Sequence, residues 1–234
     1  MPILGLLESD VLYPDLIDDY ASYGSMVRKN LAALDKHLEF RHYRIQEGEF
    51  PSNLDECDAY LITGSKTGVY DNEPWLEPLA QWIKHAYTHK AKLLGICFGH
   101  QMLAHCLGGH ASQSHKGWGV GNHMTNIKHL PIWLNDDSNA YQLIYSHKDQ
   151  VESLPPKGKV LASSDFCEYA AWYIGDQVLS FQGHPEFTPE YFCRLLERRR
   201  DDVGSDLLDQ ALASIDQPND SDKILRWMIE FIHI

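Results

Sequence analysis

Short apolar runs that alternate with helical stretches are the feature that most constrains the fold of this chain. Five such runs, all rich in β-forming residues, lie at 2–7, 58–62, 92–96, 160–163 and 177–182. Parallel strands need a long crossover between them, usually a helix, so strands and helices that take turns along a chain are typical of a parallel sheet. We therefore predict an α/β protein with a three-layer, open, mostly parallel sheet and helices on both faces.

Two of the intervening stretches, 23–38 and 75–89, carry the apolar spacing of amphipathic helices. Near the start of the second, Asn72 or Asp71 is placed to cap the helix, and Pro74 suits its first turn. These positions predict helices that pack one side against the sheet.

The segment from about 118 to 175 departs from this alternation. It consists of shorter runs with turn-forming sequences between them, for example at 135–138 and 155–158. This pattern predicts an antiparallel excursion from the main sheet. After Pro189 the apolar positions return to helical spacing, which predicts core-facing helices. No linker or repeat divides the sequence, so we expect one domain over 1–234.

The charge of the chain argues against two classes of partner. The chain has 20 Lys and Arg against 33 Asp and Glu, a formal net charge of -13. A field of this sign repels phosphate backbones and anionic lipids, so we expect neither nucleic acid nor a membrane as a partner. The N-terminus lacks the basic region of a signal peptide, and no apolar run has the length of a membrane span. We expect a cytoplasmic protein.

The cysteines and histidines do not predict a metal site. Five cysteines are scattered without C-x-x-C spacing, which favours neither a disulfide framework nor a zinc site. Thirteen histidines include pairs at roughly helical spacing, such as His85/His89 and His105/His110, but none has an obvious third ligand beside it. We expect no metal and no organic cofactor.

One cysteine stands in a sequence that is typical of a catalytic nucleophile. Gly95-Ile96-Cys97-Phe98-Gly99 follows an apolar run and precedes a short helical stretch. A nucleophile elbow has this strand-turn-helix context, and its two glycines allow a tight turn. The helix N-terminus favours a thiolate, and the N–H of Phe98 is placed to stabilise an oxyanion. The alternative is a small buried cysteine between two glycines.

A second segment could supply the base for such a nucleophile. His184-Pro185-Glu186 follows the last apolar run, and residues two apart in an extended segment face the same way. Pro185 favours an extended conformation at His184. The imidazole could then take a proton from a thiol while the carboxylate orients the ring. The alternative is a surface loop with a turn proline.

Four runs of the sequence together resemble class I, or triad, glutamine amidotransferase domains. The runs are 61–65, 95–101, 146–151 and 181–187, and they occur in the order that the family has. They are most similar to the glutaminase domain of GMP synthase and to stand-alone relatives, including γ-glutamyl peptidases. The resemblance implies a flavodoxin-like fold and cleavage of the γ-amide of glutamine through a γ-glutamyl thioester, with release of ammonia.

The resemblance also implies roles for individual residues. Cys97 would be the nucleophile, His184 the general base and acid, and Glu186 the group that orients His184. Gly64 would supply an oxyanion N–H beside that of Phe98. Gly64 also follows a strand-like run, where ligand sites gather in open parallel sheets, although an ordinary strand-to-loop glycine is the alternative.

Three further residues are implied at the amino-acid end of the substrate. Gln101 would help hold the α-amino and carboxylate groups, and Ser146 and His147 would lie beside the same end. From its position in the sequence alone, the alternative for Gln101 is a residue on a helix surface.

The sequence also departs from the family pattern. No synthase domain follows residue 187, so we expect the acceptor of any released ammonia in a separate synthase subunit. Gly183 stands where many relatives have a larger side chain, which could widen the pocket. Two other functions therefore stay open: a γ-glutamyl peptidase that acts on γ-glutamyl compounds, and a catalytically silent regulatory or binding module.

Overall fold

The computed structural model of the protein describes residues 1–234 and contains eleven strands and eight helices. The strands are β1 (Ile3–Glu8), β2 (Glu39–Arg44), β3 (Ala59–Ile62), β4 (Lys92–Ile96), β5 (His110–Gln113), β6 (Gly119–Ile127), β7 (Ala140–His147), β8 (Asp149–Ser153), β9 (Lys159–Ser163), β10 (Ala171–Ile174) and β11 (Val178–Phe181). The helices are α1 (Pro14–Tyr20), α2 (Tyr23–Leu34), α3 (Leu76–Thr88), α4 (Phe98–Cys106), α5 (Pro189–Arg198), α6 (Arg200–Val203), α7 (Ser205–Ser214) and α8 (Ser221–His233).

Nine of the strands form one open sheet in the order β2-β1-β3-β4-β11-β10-β9-β6-β7. From β2 to β11 every neighbouring pair is parallel. Strands β10 and β6 run against the other strands of the sheet. The α/β fold with a mostly parallel sheet is confirmed, and the five strands predicted from apolar runs lie within one residue of their expected ends.

The antiparallel excursion is also confirmed, and it has two parts. Strands β6, β7, β9 and β10 extend the main sheet on the side of β11. Strands β5 and β8 pair separately as a two-stranded antiparallel sheet. This part of the chain therefore both widens the main sheet and adds a small sheet outside it.

The strands of the parallel part present alternate side chains to two helical layers. On β1, Leu6 packs in a core with α2 and α8, whereas Leu7 packs in a second core with α3 and α4. Successive side chains of a strand point to opposite faces, so one strand contributes to both cores. The C-terminal helices face the interior as predicted, with Leu208 on α7 and Met228 on α8 fully buried.

Two predictions about helix ends are wrong. Helix α2 ends at Leu34, because the chain turns there toward the edge strand β2. Helix α3 begins at Leu76 without a side-chain cap. Asp71 instead accepts the N–H of Gly68 at 2.7 Å, and so stabilises the loop before the helix.

Candidate active site

Cys97 lies in the turn between β4 and α4 with a backbone φ of 52°, in the left-handed region. Few residues other than glycine adopt such a conformation, which is typical of a strained elbow. The flanking glycines are needed because the chain is crowded. A Cβ on Gly95 would lie 2.6 Å from the backbone of Gly99, and one on Gly99 would overlap the carbonyl of Ile62.

Hydrogen bonds fix the elbow on both sides of Cys97. Its N–H donates to the carbonyl of Phe181 at the end of β11, at 2.9 Å, and its carbonyl accepts the N–H of Gln101 in α4, at 3.1 Å. The thiol residue is only 5% exposed. The sulfur is therefore held at the carboxyl edge of the sheet, directly before the N-terminus of α4.

His184 and Glu186 follow β11, the strand next to β4. Nδ1 of His184 donates to Oε1 of Glu186 at 2.8 Å, and both residues are buried. Because a carboxylate only accepts, Nδ1 carries a proton, and Nε2 has no partner within the protein. The N–H of His184 donates to the carbonyl of Ile144 at 2.8 Å, which fixes the backbone of this segment.

Two opposing effects act on the pKa of His184. Burial alone would lower this pKa, because it disfavours the charged ring. The charges of Glu186 and Cys97 outweigh burial and raise the pKa above its ordinary value. The pairing therefore favours an imidazolium at this position.

Gly64, directly after β3, completes the arrangement on the other side of Cys97. A Cβ on Gly64 would lie 3.2 Å from Cε1 of His184 and 3.7 Å from Cβ of Cys97. No hydrogen bond uses the N–H of Gly64. Phe98 is the first residue of α4, so its N–H has no partner within the helix. The structure thus brings Cys97, His184, Glu186, Gly64 and Phe98 to the ends of three neighbouring strands, β3, β4 and β11.

A cavity opens beside Cys97, and the three predicted substrate residues line it. Gln101 is buried, so its interpretation as a helix surface residue is wrong. Its Nε2 donates to the carbonyl of Asp149 at 2.8 Å and to Oε1 of Gln182 at 3.1 Å. Ser146 and His147 reach the same cavity from the end of β7.

His147 is buried without a charged partner. Its Nδ1 donates to the carbonyl of Asp149 at 2.9 Å, and its Nε2 has no partner within the protein. Burial, with a smaller contribution from the charge of the nearby His184, lowers the pKa of His147 to about 3, although the hydrogen bond to Asp149 acts in the opposite direction. The ring is therefore neutral, with an unpaired acceptor nitrogen.

Arg199 is a cavity residue that the sequence did not reveal. Its Nη1 donates to Oγ of Ser146 at 2.8 Å, and its guanidinium lies 5.3 Å from the ring centre of Trp118. It is only 8% exposed and forms no ion pair with a carboxylate. A buried cation without a counter-ion is costly, so its presence here favours an anionic ligand.

Asp149 provides an opposite charge in the same cavity. Its Oδ1 accepts the hydroxyl of Tyr70 at 2.9 Å, and no cationic side chain forms an ion pair with it. Burial raises the pKa of Asp149, although the Tyr70 hydroxyl partly offsets this effect. Asp149 belongs to the motif Ser146–Val151, but the sequence alone implied no role for this residue.

Cys97 differs from the other cysteines, all of which are free thiols. Burial raises the pKa of each of the others, to about 12 for Cys106 and Cys167 and by a smaller amount for Cys57 and Cys193. None of these four lines the cavity at Cys97. Their surroundings oppose thiolate formation.

The expected widening of the pocket by Gly183 is wrong. A Cβ on Gly183 would lie 3.0 Å from Leu143 and from Tyr145, which are buried core residues. Gly183 therefore faces the interior and avoids a clash there.

No group of three or more histidine, cysteine, aspartate or glutamate side chains is arranged to hold a metal ion. The rings of His85 and His89 lie 4.1 Å apart, and those of His105 and His110 lie 5.8 Å apart, without a third ligand. None of the helices combines the length and apolar character needed to cross a membrane.

Comparisons with known proteins agree with this architecture. The chain is 31% identical to γ-glutamyl peptidase 2 of Arabidopsis thaliana over 169 residues, 70% of this chain and 68% of that protein. It is 27% identical to the glutamine-hydrolyzing GMP synthase of Bacteroides fragilis over 173 residues, 73% of this chain and 32% of that protein. The fold matches a glutamine amidotransferase structure from Thermotoga maritima with a TM-score of 0.75 and 19% identity, over 99% of this chain and 95% of that chain. Residues 15–199 match the family model described as glutamine amidotransferase class-I, and the chain belongs to that family.

Proposed function

We propose that this protein hydrolyses the γ-amide bond of glutamine or of a γ-glutamyl compound, with Cys97 as the nucleophile. The observation that carries this proposal is the arrangement around the elbow. Cys97 has a strained backbone at the start of α4, and the His184–Glu186 pair lies on the neighbouring strand end. A nucleophile, a base and a group that orients the base are the parts that acyl transfer requires.

The reaction follows from these parts. The sulfur of Cys97 attacks the γ-carbonyl carbon, and the oxyanion that forms is stabilised by the N–H groups of Gly64 and Phe98. The proton on Nε2 of His184 passes to the departing nitrogen as the C–N bond breaks. Water then attacks the thioester and gives a proton to Nε2 of His184. The C–S bond breaks, and glutamate and the Cys97 thiolate are released, which restores the starting pair.

Two oppositely charged cavity residues that form no ion pair, Arg199 and Asp149, fit the amino-acid end of such a substrate. Arg199 would bind the α-carboxylate through its guanidinium, beside Ser146. Asp149 would bind the α-ammonium, and the acceptor nitrogen of His147 would take a second N–H of the same group. Gln101 holds the backbone of Asp149 in place through its amide. Every γ-glutamyl compound with a free α-amino acid end carries both charges.

A γ-glutamyl peptidase is the second candidate within this chemistry. It is supported by the similarity to γ-glutamyl peptidase 2, which extends over 70% of this chain. In that case the leaving group is an amino acid or a peptide. If glutamine is the substrate, we propose that the ammonia acceptor lies on a separate synthase subunit.

The test is a hydrolysis panel with the purified chain. Glutamine and γ-glutamyl dipeptides are compared with α-glutamyl dipeptides of the same composition, for the wild type and Cys97→Ala. We expect release from γ-linked substrates only, and none above background from the variant. The ratio of kcat/KM for γ-glutamyl dipeptides and for glutamine decides between peptidase and glutaminase. A wild type that hydrolyses none of them would favour the silent module.

A further inference from the structure

The ring of His184 contacts an aromatic ring along its whole face. Phe187 lies parallel to the imidazole, with 3.9 Å between ring centroids and 8° between ring planes. Glu186 holds one edge of the imidazole through Nδ1, at 2.8 Å. An edge contact fixes where that nitrogen lies, but it leaves the ring free to tilt about the hydrogen bond. A flat contact on the face removes that tilt.

Phe187 is itself held in place by neighbours from two helices. It is only 3% exposed. Its ring lies 4.6 Å from that of Tyr191 on α5 and 6.3 Å from that of Tyr23 on α2. Asn30, also on α2, donates from its side chain to the carbonyl of Glu186 at 3.1 Å. Phe187, which covers this face of His184, is therefore fixed as part of the packed core.

We infer that Phe187 is a positioning residue for His184, one that fixes the plane of the ring and stabilises its protonated form. This inference rests on the proposed function, in which His184 gives a proton to the leaving group. The negative face of an aromatic ring attracts a cation within about 6 Å, and a buried contact is stronger than an exposed one. The contact thus holds the ring in one plane while the ring carries its charge.

Other groups near His184 set its titration together with Phe187. Glu186 lies on its own segment, Cys97 belongs to the elbow after β4, and His147 reaches it from β7. Glu186 and Cys97 favour the imidazolium, whereas a charged His147 would oppose it. The Phe187 variant keeps all of these groups. Any added exposure of the ring would raise the pKa of His184, so a downward shift reports the loss of the aromatic face.

The test compares Phe187→Leu with Phe187→Tyr, which keeps the ring, and with Phe192→Leu. Phe192 is fully buried in the same core cluster, and its ring does not pair with that of His184, so its variant makes the same change in packing elsewhere. The pKa of His184 is measured by NMR on protein with labelled histidines, and the signal is assigned by its loss in His184→Gln. In parallel, the pH profiles of kcat and KM are recorded.

We expect the pKa of His184 to fall by about half to one pH unit in Phe187→Leu and to stay near the wild-type value in the other two variants. The alkaline limb of kcat should move down in pH with it, and kcat should fall roughly tenfold while KM stays within about twofold. A titration of Phe187→Leu that overlaps the wild type would overturn the inference, as would an equal shift in Phe187→Tyr. If the wild type hydrolyses nothing, the proposed function fails, but the NMR titration still decides this inference.

Discussion

The site has two parts that each contain a buried histidine: a reacting end, where His184 lies beside Cys97, and a recognition end, where His147 lines the cavity. The pKa values of these two histidines are shifted in opposite directions. At the reacting end, the charges of Glu186 and Cys97 raise the pKa of His184. At the recognition end, His147 has only the carbonyl of Asp149 as a partner, and its pKa falls to about 3. Burial opposes a charged ring in both cases, so the neighbouring charge decides the result.

The two ends also differ in how they are built. The reacting end, with Gly64, Cys97 and His184, follows the ends of three adjacent parallel strands, so the pairing of these strands sets the positions of its backbone. The recognition end consists of Asp149 on β8 and Arg199 directly after α5. Its proposed contacts to the substrate are made by charged side chains. Changes at the first should therefore affect turnover, and changes at the second should affect binding.

The largest effect is expected from Glu186→Gln, which removes the charge that distinguishes His184 from His147. The pKa of His184 should then fall, and kcat should fall by about 10³ to 10⁴ because the ring loses its orienting partner. The exposed residue Glu190 on α5 offers a matched control, since Glu190→Gln removes the same charge without contact to the site. Steady-state kinetics measures both variants. Turnover of Glu186→Gln equal to that of the wild type would exclude this residue from the mechanism.

Gly64→Ala tests whether the reacting end depends on backbone geometry without any change of charge. The new Cβ would lie 3.2 Å from His184, which is tight enough to displace the ring or the loop. We expect kcat to fall by about 10² to 10³, the usual cost of losing one oxyanion donor. Urea unfolding of the same variant shows whether the fold is retained. Wild-type turnover with an intact fold would show that the added Cβ is tolerated, and would contradict the claim that turnover depends on the close approach of Gly64 to His184.

Arg199→Ala tests the recognition end. The loss of a charge-assisted contact to the α-carboxylate should raise KM for glutamine about 10- to 100-fold, with little change in kcat. Arg200→Ala is the control, because Arg200 is exposed and pairs with Glu197 on the surface. The compound 4-aminobutanamide is glutamine without its α-carboxylate. It should bind the wild type and Arg199→Ala equally weakly. A KM that rises equally for glutamine and for this amide would contradict the assignment.

The smallest effect concerns stability in acid. The pKa of His147 is about 3 in the folded protein and about 6.5 in an unfolded chain. Between these values the unfolded state binds more protons, so stability falls as the pH falls, by up to about 1.4 kcal/mol per pH unit for this residue. Urea unfolding of His147→Gln between pH 7 and pH 5 should show a correspondingly weaker pH dependence. An unchanged slope would mean that His147 is protonated in the folded state.

The sequence predicts the reacting end better than the recognition end. The apolar runs that end at Ile62, Ile96 and Gln182 mark strands, and the motif residues follow them directly. Arg199 lies outside every motif, in the run Arg198–Arg200, whose other two members form surface ion pairs. Only the tertiary fold places this arginine against Ser146, 53 residues away in sequence.

The fold, like the site, is predicted from the sequence only in part. Strand β2 was not predicted, because only Tyr43 among its six residues is buried and the strand carries no apolar run. Its place at the edge of the sheet is set by pairing with β1. The N-terminus of α3 was misjudged because Asp71 satisfies a loop N–H instead of the helix. Local sequence thus predicts buried elements, while edges and caps depend on neighbours that are distant in sequence.

The central claim is that Cys97 is the one activated thiol and that it lies in a γ-glutamyl pocket. The most direct measurement is limited labelling with a glutamine-like electrophile, followed by peptide mapping by mass spectrometry, with and without glutamine or a γ-glutamyl dipeptide. Cys97 has His184 as a base beside it, while burial raises the pKa of the other four thiols. We predict modification at Cys97 alone, and protection by at least one of the two ligands. Label spread over several cysteines, or label at Cys97 that neither ligand reduces, would contradict the account.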